Sequence, residues 1–445
     1  MNYNEATDYL YSLGHEVLTA KFELESERLL LEELGNPQKR FKSVIVAGTN
    51  GKGSTAAMLD AVARAAGCKT ALYTSPHLVR LEERIKFAAA EISEADFARH
   101  ASLVRGASEK LVANGGLAAT PTFFEQVTAI AFSFFGERCP DLAVLEVGLG
   151  GRLDATNLAN PDVAVITAIG YDHQNILGNE IDQIAAEKAA VIRPGMNAVV
   201  SRQPYQLAGD VIMQRCIDAA VLPVFTGEVE VEETTSDGRL TVLYSANNGV
   251  SIRAKLGLRG RHQAENAAAV VEAACLLKET GLDIGERAIV DGLEQVEWPG
   301  RLETFDSRPA LLMDGAHNID GARALRQYLD EFWHGPLTLV FGAMSDKNLE
   351  GMAGELFGAA KTLVLTRARD RRAATGAEIG KYAIDGWHNV IFTESSRQAL
   401  SWARSLTPAG GLICVAGSLH LVGEVKRLLE QEDDQRTLLR PDGVI

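Results

Sequence analysis

Between residues 41 and 200, short apolar runs alternate with stretches whose apolar positions recur at a helical period. Residues 44–47, 71–74, 142–146 and 163–169 are nearly continuous in apolar side chains. A strand that buries one face alternates, whereas a strand covered on both faces does not. These four therefore read as strands of a parallel sheet under helices. Residues 54–66 and 121–135 supply amphipathic helical patterns between them. The order predicts a doubly wound α/β sheet, with ligands expected beyond the carboxyl ends of its strands.

From 223 to 258 the pattern changes to short Val/Thr/Ile segments punctuated by DGR at 237–239 and NNG at 247–249. Such turn sequences predict hairpins, hence a small β-rich subregion. A strong helical pattern follows at 262–280, and Trp298-Pro299-Gly300 then breaks the periodicity. Beyond it, runs at 310–313, 337–341, 361–365, 390–393 and 412–415 again read as strands, each followed by a helical pattern. Two domains are expected, 1–298 and 299–445, the second a smaller Rossmann-like α/β unit.

Composition narrows the function classes. The opening thirty residues carry Asn, Glu and Asp throughout, with neither a basic n-region nor an apolar h-region, so no secretory leader is expected. No apolar run approaches the ~18 residues of a membrane span, and the expected compartment is the cytoplasm. Five scattered cysteines without a CxxC pair argue against both a disulfide framework and a thiolate zinc site. A net charge of -15 disfavours general nucleic-acid binding. It leaves room for small anions held by backbone N–H groups and a few cations.

The sharpest motif is VIVAGTNGKGST at 44–55. A buried strand runs into Gly48, Thr49, Asn50, Gly51, Lys52 and Gly53, and a helix opens near Ser54 and Thr55. Glycines let backbone N–H groups converge on phosphates, and the helix N-terminus favours negative charge. Lys52 is placed to reach the β- and γ-phosphates, and Ser54 to ligate Mg2+. The strict G-x-x-x-x-G-K-[ST] pattern is not met, because Val46 replaces its first glycine and Gly53 separates Lys52 from Ser54. A plain glycine turn between strand and helix is the alternative.

Other residues have two readings each. Glu146 ends a buried strand, where a carboxylate either holds Mg2+ or is merely solvated. Asp154, in GGRLDATN, is a second carboxylate nearby, and His173 follows another strand in YDHQNILG. A lone histidine is more often structural than a ligand. Lys188 shares a helix face with Ile181, Ile184, Ala185 and Ile192. Either its stem snorkels to solvent, or burial leaves a neutral amine able to take up CO2 as a carbamate. Arg84 is either part of an ordinary helix start or a bidentate partner for a carboxylate. Phe123 and Phe124 in TPTFFEQ are either core or a sandwich for a flat ring.

The departure from the strict loop is itself informative. GTNGKGS resembles the variant loop of the Mur-ligase superfamily in the form used by folylpolyglutamate synthases. SPHLVRLEERI from Ser75, TPTFFEQ from Thr120, IAAEKAAVI around Lys188, HQAEN, WPGRLE, MDGAHNI and GSLHLVGE continue the likeness in order, from about residue 8 to about 427. The resemblance implies a P-loop NTPase-type first domain, with ATP bound by residues 48–55, Asn266, Arg301 and Asp314. It implies two Mg2+ ions held by Ser54, Glu146, His173 and a carbamylated Lys188. It places Ser75, Arg84, Thr122, Phe124, Asp154, His317 and Ser418 around the substrates L-glutamate, dihydropteroate and folates. Lys52, Lys188, His173, Arg84 and His317 are the implied catalytic groups, in a monomer with no nucleic-acid or membrane partner. The expected chemistry is phosphorylation of a carboxylate by ATP, then attack of the glutamate amine on the acyl phosphate. The rivals are a Mur-type ligase of cell-wall precursors and a P-loop kinase or NTPase without ligase activity.

Overall fold

The computed structural model describes residues 1–14, 24–383 and 389–438, with side chains as far as Glu432. Its largest sheet contains β1 (Ser43–Ala47), β2 (Thr70–Tyr73), β3 (Ile85–Phe87), β4 (Ala90–Glu91), β5 (Leu142–Glu146), β6 (Val163–Ile166), β7 (Asn197–Val200) and β8 (Pro223–Phe225). Their spatial order is β4-β3-β2-β5-β1-β6-β7-β8. All pairings are parallel except β2–β3 and β3–β4. Every residue of β1, β5 and β6 is buried, which is why none of the three alternates. β1 lies between two strands that follow it in the chain, with Val46 opposite Glu146 and Ala47 opposite Ile166. Strand order reverses there, and the crevice beyond such a switch point is where open α/β sheets bind ligands.

β9 (Glu230–Thr234), β10 (Arg239–Ser245) and β11 (Ser251–Arg259) form a separate antiparallel sheet, turning at the two predicted hairpins. β11 alternates strictly over most of its length. Its inward residues Ile252, Ala254, Leu256 and Leu258 share a core with helix His262–Glu279. β12 (Glu303–Phe305), β13 (Ala310–Met313), β14 (Leu337–Phe341), β15 (Thr362–Leu365), β16 (Val390–Phe392) and β17 (Leu412–Ala416) make the third sheet. Its order is β12-β13-β17-β14-β15-β16, parallel except for β12. The first two sheets thus precede residue 300, and the third follows it. No helix among the described residues is long and apolar enough to cross a membrane.

Several expectations are corrected. β6 ends at Ile166 rather than 169, because the Ala168 carbonyl leaves the ladder to accept Thr49 N–H at 2.9 Å and Asn50 N–H at 3.1 Å. The segment 223–225 belongs to the edge of the large sheet, not to the β-rich subregion. The helix expected from 121 begins at Phe123, where Thr122 and Glu125 form a reciprocal capping box. Helices Tyr3–Ser12 and Glu25–Glu33 and the antiparallel strands β3, β4 and β12 lie outside the expected elements.

The linker is pinned to the third sheet. Gly300 and Leu302 have positive φ, and Asp314 at the end of β13 accepts the N–H groups of Leu302 and Ala316, both at 2.9 Å. Arg301 therefore travels with the C-terminal sheet.

Candidate active site between the two larger sheets

One cleft of about 1010 Å³ lies between the carboxyl ends of the large sheet and those of the third sheet. On its first wall, the loop from β1 to helix Lys52–Ala65 folds tightly over Gly48 and Gly51. Both have positive φ, and a Cβ would strike Thr167 Oγ1 at 1.9 Å from Gly48 and Asn266 Oδ1 at 2.3 Å from Gly51. Only glycine fits either place. Lys52 Nζ curls back onto the carbonyls of Gly48 (3.1 Å) and Thr49 (3.2 Å). Desolvation lowers its pKa, with Glu146 acting in the opposite direction.

Glu146 is 5 % exposed and accepts the backbone N–H of Ser75 at 3.1 Å. Burial raises its pKa against the pull of Lys52. A Cβ on Gly53 would lie 3.4 Å from its Oε1, so the carboxylate sits directly over the start of the helix. Ser54 is buried in the same turn and accepts from Gln263 Nε2 at 3.3 Å. That bond ties helix His262–Glu279 to the first turn after the loop, and Asn266, on the same helix, holds Gln263 in place by donating to its Oε1 at 2.9 Å.

Lys188 does not snorkel. It is 4 % exposed and donates to the Gly48 carbonyl at 2.8 Å. Burial, then the nearby Lys52 charge, pushes its pKa down to about 7. Asp154 is also buried, and its oxygens accept from Thr156 N (3.0 Å), Thr156 Oγ1 (2.5 Å) and Leu149 N (2.9 Å). It thereby fixes the turn that follows β5 while facing the cleft.

The second wall meets the first at Asp172. This buried carboxylate takes Lys347 Nζ, His317 Nε2 at 3.4 Å and Asn318 Nδ2 at 3.2 Å, all from the C-terminal part. Asn318 Nδ2 also donates to Asn50 Oδ1 at 2.9 Å. Burial would raise Asp172, but the His317 hydrogen bond and the charges of His173, His317 and Lys347 hold it well below its ordinary value. His173, at positive φ and 4.0 Å from Asp172, is driven down to about 3, chiefly by burial. Arg301 lies against Gly315, where a Cβ would meet its Nη1 at 2.2 Å. Ser418 precedes helix Leu419–Leu438 and accepts His420 N–H at 3.1 Å.

At the far end, Arg84 is 2 % exposed, donates to His77 Nδ1 at 2.9 Å and lies 5.4 Å from the Phe123 ring centroid. Phe123 is buried and stacks on Tyr11. Phe124 turns the other way, against Tyr73 and Gly148, and lines the cleft with Thr122. The two rings cannot sandwich one ligand, because neighbours on a helix point about 100° apart.

Two family models match the chain: the Mur ligase middle domain over residues 46–274 and the Mur ligase glutamate ligase domain over 300–419. The folylpolyglutamate synthase of Lacticaseibacillus casei is 31 % identical over 435 residues, covering 96 % of this chain and 99 % of that one. The chain belongs to the folylpolyglutamate synthase/dihydrofolate synthase family of Mur ligases. A Haloferax volcanii protein named "Probable bifunctional folylpolyglutamate synthase/dihydropteroate synthase" is 34 % identical over 438 residues. The chain spans about half that relative's length, 50 %. The E. coli FolC structure in complex with DHPP and ADP superposes with a TM-score of 0.86 at 29 % identity, covering 98 % of this chain and 99 % of that one.

The cleft gathers nearly all the residues that the family resemblance assigns to the site. Two do not reach its surface. Gly48 lies beneath the loop and offers its carbonyl to both lysines, and Thr55 is wholly buried behind the first helical turn. Asp172, Lys347 and Asn318 were missed as site residues. Asp172 stood next to His173 in an evident loop, but its partners lie 146 and 175 residues away, and no spacing signals such a pairing.

Proposed function

We propose that the protein is an ATP- and Mg2+-dependent ligase that joins L-glutamate to dihydropteroate and to the γ-carboxylate of folates. The reading rests above all on one cleft whose first wall is a phosphate-cradling loop with Lys52, and whose second wall presents Arg301, His317 and Ser418. The two walls correspond to domains 1–298 and 299–445. A monomer acting on small molecules in the cytoplasm is the form proposed.

ATP lies with its phosphates over residues 49–54, its adenine near Asn266, and Arg301 reaching the phosphates from the opposite side. The folate carboxylate approaches between Ser75 and Arg84, with the pterin beyond, near Thr122, Phe124 and Asp154. Its oxygen attacks the γ-phosphorus, and ADP leaves. Lys52 and Arg301 offset the charge of the transferring phosphoryl. The glutamate amine then attacks the acyl carbon, phosphate leaves, and the amide forms. Asp314 shapes the second wall, while His317 and Ser418 orient glutamate. Closing the walls keeps water from the acyl phosphate.

Mg2+ fits the first wall. Among the described residues no group of three or more His, Cys, Asp or Glu forms a dedicated cage. That agrees with an ion that shares few protein ligands with phosphates and water. Ser54 and the buried Glu146 offer hard oxygens for one ion. A second, near His173, fits only if Lys188 is carbamylated, since an ammonium would repel it. When bound, Mg2+ supplies charge neutralisation at the phosphates.

The test is ADP release from MgATP with L-glutamate varied against dihydropteroate and, separately, tetrahydrofolate. Release that needs both glutamate and a pterin acid is expected. Release indifferent to both would return the chain to nucleotide hydrolysis alone.

A further inference from the structure

The cleft carries a second concentration of charge that this chemistry does not use. The loop after β15, RARDRR at 367–372, holds four arginines. Arg369 and Arg372 line the cleft together with Arg427 and His420 of helix Leu419–Leu438, opposite His77 and Arg84. Two carboxylates stand among them. Asp370 lies 3.3 Å from Arg372 Nε and 3.6 Å from His420 Nε2. Glu424 takes the backbone N–H of Arg369 at 2.6 Å, not its guanidinium.

Two cations are left over. The Arg369 guanidinium has no hydrogen-bond or ion-pair partner among the described residues. Arg427 donates to the Val79 carbonyl at 2.6 Å and has no ion pair among them. The excess is felt nearby: burial, then Arg84, His420 and Arg427, hold the His77 imidazole well below its ordinary value. Guanidinium groups gathered in this way recognise planar carboxylates through paired N–H donors.

We propose that Arg369, Arg372 and Arg427 form a subsite for the α-carboxylates of a γ-linked oligoglutamyl tail on the folate substrate. The proposal rests on the ligase reading above. Each γ-linked residue leaves one α-carboxylate free, so a tail gains one negative charge per addition. Only the terminal γ-carboxylate can sit at the phosphate wall, and the earlier carboxylates need cations beside it. The cluster adjoins Arg84 through His77, where that next charge falls. Free L-glutamate offers the same carboxylates, so the test must separate the two.

The variant is R369Q with R427Q, neither residue belonging to the ATP or acceptor machinery. KM is measured for tetrahydropteroyl mono-, di- and triglutamate, for dihydropteroate and for L-glutamate. The expected result is a KM nearly unchanged for dihydropteroate and the monoglutamate. For the triglutamate it rises at least tenfold, since tenfold is about what one charge-assisted contact contributes and the variant removes two guanidinium groups. A rise confined to L-glutamate would assign the cluster to the incoming amino acid and overturn the proposal. Equal rises for all folates, or none, would also overturn it. Calorimetric binding of γ-linked pentaglutamate, which has no pterin, provides a readout without turnover. It should weaken by at least about tenfold in the variant. Wild-type protein that binds pentaglutamate yet releases no ADP with folates would break the ligase reading and leave the subsite standing. Wild-type protein that ligates but does not distinguish tail lengths, with or without the arginines, would break the subsite alone.

Discussion

The two walls of the cleft handle charge in opposite ways. On the first, Glu146, Asp154 and Lys188 are each at most 5 % exposed, and burial displaces all three from their ordinary pKa values. On the second, Asp314 is held by backbone N–H groups, His317 keeps 29 % of its side chain exposed, and Arg369 is open to solvent. The first wall is a dry, fixed array whose charges answer to one another and to a bound polyanion. The second mixes buried groups such as Asp314 and Ser418 with the wetter His317 and Arg369, all carried by the C-terminal sheet and the segments around it. Preorganised groups of the first kind suit phosphoryl transfer, where charge must be met without reorganisation. Movable groups of the second kind suit the admission and capture of a second substrate.

The sharpest way to break this contrast is Lys52→Ala. If the first wall is preorganised, its lysine is irreplaceable by anything the second wall can move into place. ADP release under saturating substrates should fall by about 10²–10³-fold, as when one preorganised donor is removed. The thermal midpoint should change little, because relief of the buried cation's desolvation offsets the lost bonds to the loop carbonyls and the lost attraction to Glu146. A rate within threefold of wild type would mean that Arg301 alone manages the phosphates.

Asp172 is where the walls touch, and it sharpens the comparison. Asp172→Asn keeps the shape and removes the charge that Lys347 and His317 share. If closure depends on this contact, kcat/KM for L-glutamate should fall about 10–100-fold while nucleotide affinity stays nearly constant. A double-mutant cycle with Lys347→Met should give a coupling of about 0.5–3 kcal/mol, the range for residues in direct contact. Equal losses in ATP and glutamate binding, with no coupling, would show a local loop defect instead.

The same division explains what could be read from the sequence. The first wall is local: a strand, a glycine loop and a helix contiguous over 43–65, with Glu146 and Lys188 marked by their places on apolar elements. Periodicity reports burial, and here burial and function coincide. The Asp172 contact is not local. Neither Lys347 nor Asn318 sits on an apolar stripe, and both take their meaning from a partner across the cleft. The Phe123–Phe124 pair shows the converse limit: adjacency in sequence leaves direction open, and the helix sends Phe123 into the core and Phe124 to the cleft. The antiparallel edges β3, β4 and β12 are two or three residues each, too short for a period of two to register.

The smallest predicted effect concerns Lys188, the one buried group of the first wall whose charge can be inverted. Its pKa stands near 7 because burial, then Lys52, disfavours the ammonium. In an unfolded chain it would be near 10.4. The folded state therefore gives up this proton as pH rises through about 7, well before the unfolded chain does. From that pH upward a neutral amine is available. Its nitrogen can add to CO2, forming the N–C bond and releasing one proton to solvent. The resulting carbamate would turn a repulsive pair of lysines into an attractive one beside the phosphates. With 13C-labelled bicarbonate, a carbamate carbon resonance should appear, grow between pH 6.5 and 8, and vanish in Lys188→Arg. Stripping CO2 at pH 8 should slow ADP release roughly two- to fivefold, about 0.4–1 kcal/mol of barrier. Full activity without CO2 and no resonance at any pH would leave Lys188 as a plain amine on the Gly48 carbonyl, and the first wall with fewer anions than the second ion requires.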